Sequence, residues 1–280
     1  MKLRSAPLAQ RILRLPARER ELAVGYLQVL VEARRDELKR RRRDCIDLAR
    51  GAGIEPDNWQ AQVLKSTSPR ILLNCSRQSG KSTVTALLAV HTALYEADAL
   101  VLLLSPSLRQ SQELFRKALG LYQTLDRPIP AESESALRLE VENGSRVVSL
   151  PGTSSTIRGY SGVRLLAIDE AARVPDDLYF AVRPMLAVSG GRLICLSTPF
   201  GTRGWWYDAW RSDEPWERYE VPASECPRIS PEFLEEERLA MGEWWFEQEY
   251  GCLFAEAENQ PFSREDVERA FSEDLEAWDL

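Results

Sequence analysis

The chain has 280 residues, enough to bury one large core or two modest ones. Apolar residues make up 44% and charged residues 28%, an ordinary globular balance, and no apolar run approaches the length that crosses a membrane. The formal net charge of -7 hides an asymmetry: residues 1–50 hold 14 Lys/Arg against 7 Asp/Glu, and residues 211–280 hold 6 against 21, so whole-chain charge neither requires nor excludes a nucleic-acid partner. The N-terminus has no signal-like apolar core. Cys45, Cys75, Cys195, Cys226 and Cys252 are scattered, and the sole histidine is His91, so no spacing points to zinc. Scattered thiols fit a reducing compartment, with packing as the default role of Cys75 and Cys195.

Residues 1–20 are basic, and residues 19–50 read as one helix stopped at Gly51 and Gly53. The run Lys39-Arg40-Arg41-Arg42-Arg43 within it fits a solvated face, or a contact with DNA phosphates or an acidic partner. Pro56 is placed for a helix start just before Trp59 and Gln60. The Gln60 amide can pair with both edges of an adenine while the Trp59 ring packs nearby; Trp59 suits a plain core equally well. Residues 71–73 are a short buried strand. They lead through a polar loop, Ser76-Arg77-Gln78-Ser79, into Gly80-Lys81-Ser82-Thr83, and residues 84–95 continue as a helix.

Strand, glycine-bearing loop, Gly-Lys-Ser and helix form a phosphate-binding P-loop. Backbone N–H groups of the loop and helix start face phosphate oxygens, Lys81 adds a point charge near the β and γ phosphates, and the Ser82 hydroxyl suits Mg2+. The usual first glycine is replaced by Cys75, and a bare Gly-Lys-Ser also fits a surface turn.

Residues 99–104 make a second buried strand ending in Ser105-Pro106-Ser107, and 109–125 a helix with Leu114, Ala118 and Leu121 on its apolar side. Residues 126–134 read as a proline-bearing surface loop, and 137–141 with 146–150 as a hairpin around Asn143-Gly144. The polar loop 151–162, with Ser154, Ser155, Thr156 and Arg158-Gly159, suits either ligand contact or a plain turn. Residues 165–168 form a third buried strand that ends in Asp169-Glu170, placing a carboxylate pair at the ligand-binding edge of an open sheet. Asp169 suits the Mg2+ shell and Glu170 the activation of a water, the division that phosphoryl transfer requires; an Asp-Glu pair also caps helices.

Residues 176–187 read as a helix, and 192–196 as a fourth strand ending in Ser197-Thr198-Pro199. Those hydroxyls either sense loss of a γ-phosphate or mark an ordinary strand exit. Trp205, Trp206 and Trp210 belong to a short packing helix. Residues 216–221 are an edge strand, and 231–250 read as helices anchored by Trp244, Trp245, Phe246 and Tyr250. Glu243, Glu247 and Glu249 crowd those rings, which argues against base stacking. The tail from 256 to 280 is acidic, with a small helix over 264–271.

In this order the motifs resemble the ATPase portion of the large terminase subunit, the genome-packaging motor of tailed bacteriophages and prophages. Ser76 to Ser82 resembles its variant phosphate loop, which often lacks the first glycine, and Ile168-Asp169-Glu170-Ala171-Ala172 its second nucleotide motif. Ser197-Thr198-Pro199 is similar to its coupling motif, Trp59-Gln60 falls where the family has an adenine-recognition glutamine, and Phe246-Glu247-Gln248-Glu249-Tyr250 looks like the phrase closing its ATPase region. Arg77 resembles an arginine that touches nucleotide within the same subunit, and Arg158 a finger supplied to a neighbour.

The resemblance covers roughly residues 55–255. It implies an α/β P-loop NTPase of the additional-strand, RecA-like type, with a mostly parallel central sheet flanked by helices and a small helical lead-in. The expected divisions are a basic extension over 1–53, the ATPase core over 54–210, the C-terminal part of that domain over 211–258, and an acidic linker over 259–280. It further implies ATP and Mg2+ as ligands, double-stranded DNA as cargo, and a homo-oligomeric, pentameric ring on the portal protein in the bacterial host cytoplasm. The small terminase subunit is the expected partner; no membrane and no nuclease activity are expected. A helicase-like or DNA-repair ATPase shares the motif order but expects a second ATPase-like domain, for which residues after 210 leave no room. A non-hydrolysing P-loop scaffold would not need Lys81, Ser82, Asp169 and Glu170 together.

Overall fold

The computed structural model describes residues 12–13, 15–41, 44–151, 157 and 159–255, with the backbone alone for residues 32–41 and 151. Arg158, Ser154 to Thr156, Arg42, Arg43 and the acidic segment 256–280 lie outside the described residues.

The single helix expected over 19–50 is two helices, α1 (Ala17–Arg41) and α2 (Cys45–Gly51). Asp44 restarts the second: its backbone is extended and its carboxylate accepts from the Ile46 N–H at 2.9 Å. A carboxylate that satisfies an orphan donor at a helix start is an N-cap, and helix-favouring neighbours on both sides hid it. α2 buries Cys45, Ile46, Leu48 and Ala49. The helix α3 (Asn58–Lys65) begins with a capping box in which Asp57 and Gln60 satisfy each other's ends.

The strands β1 (Arg70–Cys75), β2 (Leu100–Ser105), β6 (Val163–Asp169) and β7 (Arg192–Ser197) are the four buried runs of the sequence, and β8 (Glu217–Val221) lies at the edge beside β1. Between them come the helices α4 (Lys81–Tyr95), α5 (Leu108–Thr124), α6 (Asp176–Val182) and α7 (Gly204–Arg211). The hairpin is β4 (Arg138–Val141) with β5 (Arg146–Pro151). Part of the expected surface loop over 126–134 is instead strand β3 (Ala131–Glu134), antiparallel to β4. Its Ala-Glu-Ser-Glu sequence is mostly exposed, so no apolar alternation announced it.

The sheet order is β3-β4-β5-β2-β6-β7-β1-β8. The stretch from β5 to β8 is parallel throughout; only the β3–β4 and β4–β5 pairings are antiparallel, so β4 alone runs against the rest. The central strands are buried on both faces, hence their near-continuous Leu, Ile and Val. α2 to α5 cover one face through Val63, Val84, Leu87, Leu114 and Phe115. α6, α7 and the single turn Ala171–Arg173 cover the other.

On that second face Trp205 stacks on Tyr179, with centroids 3.8 Å apart, and its indole N–H donates to the Val174 carbonyl at 2.8 Å. The tryptophans of α7 therefore pack, as expected. The run 231–250 is broken by Gly242, at φ 80°, into α8 (Pro231–Met241) and α9 (Glu243–Glu249). Phe246 and Tyr250 anchor it; Trp245 is 45% exposed and does not.

Candidate functional site

The sheet brings three strand ends to one edge. β7 lies between β6 and β1, with Asp169 in register with Leu196, Leu196 with Leu73, and Ser197 with Asn74. Neighbouring parallel strands stand about 4.8 Å apart. The loop that follows β1, the carboxylates that end β6 and the hydroxyls that end β7 therefore share the carboxyl edge, where open α/β sheets bind ligands.

The loop after β1 closes on itself. The Ser79 hydroxyl donates to the Ser76 carbonyl at 2.9 Å, and Lys81 Nζ donates to the carbonyls of Ser76 and Cys75 at 3.3 and 3.5 Å. Lys81 is thus tucked within the loop and buried, although it is a lysine. Gln78 (φ 57°) and Gly80 (φ 97°) adopt left-handed backbone to make the turn, and α4 starts at Lys81. Ser82 and Thr83, half-buried, lie in the first turn of α4, where orphan N–H groups and the helix dipole favour an anion. Burial drives the Cys75 thiol well above its usual range, which leaves it a packing residue.

Asp169 is a buried carboxylate of the edge. Burial, then the nearby Glu170 charge, push it up to about 6, and Lys81 pulls the other way. One of its oxygens accepts from the Glu170 N–H at 3.0 Å. Glu170 itself has left-handed backbone, φ 51° and ψ 43°, strained for a residue with a Cβ. A cation beside Asp169 would relieve the cost of its buried charge. Among the described residues no cluster of three or more His, Cys, Asp or Glu forms a metal site. The Asp169 carboxylate and the Ser82 hydroxyl are both oxygen donors, the type that suits Mg2+, an ion that completes its shell from phosphate oxygens and water. The Ser197 hydroxyl is fully buried with no hydrogen-bond partner among the described residues, and Thr198 is buried beside it.

Of the two residues expected at an adenine, Trp59 packs in the core. The Gln60 amide accepts from the Asp57 N–H at 2.9 Å and donates to the Ser79 carbonyl at 3.3 Å, so it braces the loop. Arg77 Nε donates to Glu249 at 2.6 Å, and the Arg77 N–H donates to the Glu249 carbonyl at 3.2 Å. Arg173 stands 4.0 Å from Glu249 and 3.9 Å from Glu170, and lies over the Phe200 ring at 4.2 Å. The segment after α9 is fastened to the same edge: Asn74 Nδ2 donates to the Cys252 carbonyl at 2.9 Å, and the Ala223 N–H to that of Tyr250 at 2.8 Å.

Glu249 and Arg173 belong to this neighbourhood, as does Arg228, whose Nη2 donates to the Ser79 carbonyl at 2.8 Å, and the sequence motifs do not mark them as site residues. Glu249 stands in the sequence only within the phrase that closes the ATPase region. Arg173 lies three places after Glu170, the one local signal available.

The family described as terminase large subunit, T4likevirus-type, N-terminal, matches residues 72–269. The large terminase subunit of Thermus virus P23-45 is 27% identical over 77% of this chain and 52% of its own length, and that of Thermus phage G20c is 26% identical over the same shares. The chain spans about half the length of these curated relatives. In structure it is similar to the large terminase ATPase domain of Thermus phage P74-26, with a TM-score of 0.66 at 22% identity over 74% of this chain and 97% of that one. The large terminase of a thermophilic bacteriophage, in complex with ADP, gives a TM-score of 0.59 at 13% identity, over 71% of this chain and 53% of that one. The structural likenesses establish a P-loop NTPase fold, and the match over most of the sequence establishes descent: the chain belongs to the terminase large subunit family of the T4likevirus type, and corresponds to its N-terminal part.

Proposed function

We propose that the chain is the ATP-hydrolysing motor domain of a DNA-packaging terminase, moving double-stranded DNA into a capsid. The observation that carries this reading is the convergence of Lys81, Asp169-Glu170 and Ser197-Thr198 on the ends of three adjacent parallel strands. ATP is the substrate, held with its phosphates in the loop Ser76 to Thr83. Lys81 leaves the loop carbonyls to meet the β and γ oxygens and offsets charge as the γ-phosphoryl departs. Glu170 orients the attacking water in line and takes up its proton. Ser82 and Asp169 would hold Mg2+, which would supply Lewis-acid neutralisation of the phosphate oxygens.

Ser197 and Thr198 are the coupling pair. A buried Ser197 hydroxyl without a partner among the described residues, at the end of the strand between β1 and β6, supports a role in exchanging hydrogen bonds when the phosphate leaves. Arg77 is the nucleotide arginine in the same subunit, on release from Glu249, and Arg158 the finger offered to a neighbour's ATP. Trp59 and Gln60 serve the adenine side indirectly, Trp59 from the core and Gln60 through the Ser79 carbonyl that it braces.

The divisions 1–53, 54–210, 211–258 and 259–280 serve as basic extension, core, C-terminal part and acidic linker. The wider setting is a pentameric ring on the portal protein, with the small terminase subunit, in the bacterial host cytoplasm. Among the described residues no helix is long and apolar enough to cross a membrane. ATP turnover measured with and without duplex DNA, for wild type and Glu170→Gln, tests the reading. It expects wild-type turnover that duplex DNA changes and that the variant lowers at least about a hundredfold, within the range for a lost general base. Equal rates in both proteins refute it.

A further inference from the structure

Two donors from distant parts of the chain meet on one carbonyl of the P-loop. Arg228 Nη2 donates to the Ser79 carbonyl at 2.8 Å, and Gln60 Nε2 donates to the same oxygen at 3.3 Å. Arg228 comes from the segment that leads into α8, and its other nitrogen donates to Asp57 at 2.8 Å. The Asp57 N–H donates in turn to Gln60 Oε1 at 2.9 Å. The contacts close a ring that runs from Asp57 through Arg228 and the Ser79 oxygen to Gln60 and back.

The Ser79 oxygen shares its peptide plane with the Gly80 N–H. No peptide bond among the described residues is cis, so this one is trans, and in a planar trans peptide C=O and N–H point opposite ways. Two donors that pin the oxygen against the Asp57 side therefore turn the Gly80 N–H away from that side. Gly80 is the N-cap of α4, where such an N–H adds to the anion-binding end of the helix. A Cβ at position 80 would sit 2.6 Å from Gln60 Nε2 and 3.5 Å from Arg228 Nη2, so the ring forms only around a glycine.

We propose that Arg228, steered by Asp57, is a positioning residue that acts with Gln60 to set the Ser79–Gly80 peptide so that its N–H meets the phosphates of the bound nucleotide. The inference rests on the nucleotide reading above and adds a residue to it. Arg228 orders the loop for binding and takes no part in the bond-breaking step. A guanidinium suits the task because it reaches a carboxylate and a carbonyl at once in a fixed plane; an ammonium reaches them only as a point donor.

The test compares wild type with Arg228→Ala, Arg228→Lys and Asp57→Asn in the whole chain. It measures equilibrium binding of ATP, ADP and GTP, KM and kcat separately, and melting temperature without nucleotide. A charge-assisted hydrogen bond is worth about tenfold in an equilibrium, so R228A should weaken ATP and ADP about tenfold and raise KM in step. Its kcat at saturating ATP should stay within about twofold of wild type, because the chemical step keeps Lys81 and Glu170. R228K and D57N should fall between R228A and wild type, and they carry the test if R228A does not fold. Arg228 is half-exposed, although Asp57 is mostly buried, so R228A should move the nucleotide-free melting temperature little.

Unchanged affinity in folded R228A overturns the inference, as does a loss confined to kcat. A changed ATP-to-GTP preference also overturns it, since that would put Arg228 on the base. Wild type that binds neither ATP nor ADP overturns the nucleotide reading itself, and the inference with it.

Discussion

Asp169 holds a carboxylate where water barely reaches it, with a second carboxyl next in the chain. Its pKa in the fold is raised from 3.8 to about 6, so the ionised form is disfavoured by folding. The sign follows: the destabilisation is absent below about pH 4, where folded and unfolded chains are both protonated, grows between about 4 and 6, and is complete above. At one unit per 1.36 kcal/mol the full effect is on the order of 3 kcal/mol. Asp169→Asn is therefore expected to be more stable than wild type at pH 8 and equal to it near pH 4, while turnover is lost. Denaturant unfolding at the two pH values measures this, and equal stability at pH 8 would contradict it. Glu170 carries a related strain in its left-handed backbone, φ 51°. Replacing it with glycine should stabilise the protein by about 1 kcal/mol, also read by denaturant unfolding, and abolish turnover.

At the scale of elements, the cap that restarts α2 and the stack that seats α7 are separable contributions. Asp44→Ala should cost about 1 kcal/mol, and Asp44→Asn, which still caps, close to nothing. Trp205→Ala removes a buried ring, its stack on Tyr179 and its hydrogen bond to Val174, and should cost about 3–5 kcal/mol by chemical denaturation. The strands were legible because those buried on both faces read as unbroken apolar runs. The P-loop, Asp169-Glu170 and Ser197-Thr198 were legible because each follows such a run directly. The break at Asp44 was not, since one capping residue sits between two helix-favouring stretches. Strand β3 was not, since an exposed edge strand needs no apolar residues. Arg228 and Glu249 could not be picked out at all: their partners Ser79 and Arg77 lie 149 and 172 residues away in sequence. A contact of that range leaves no local pattern. Gln60, 19 residues before Ser79, stands out in the sequence as a partner for a base, and in the fold it holds a backbone carbonyl.

Over the whole molecule, the additional strand β7 between β1 and β6 gathers the loop after β1, the carboxylates that end β6 and the hydroxyls that end β7 on one sheet edge, where the proposed function would hold a phosphate, aim a water and register the product. The segment 249–252 is bonded to that same edge at Arg77 and Asn74, beside the P-loop. Ligand that binds only the folded state stabilises it by mass action, so Mg-ATP at about a hundred times its dissociation constant should add about 2.7 kcal/mol to unfolding free energy. Lys81→Ala should remove most of that gain in a thermal melt, and an undiminished gain would place ATP elsewhere. The most direct test of the shared pocket is a crystal structure of the chain with Mg2+ and a slowly hydrolysed ATP analogue. The account expects the β and γ phosphates within hydrogen-bond reach of Lys81 Nζ, the metal between Ser82 and Asp169, and a water held by Glu170 opposite the leaving oxygen. Phosphates bound away from Lys81, or a metal remote from Asp169, would contradict it.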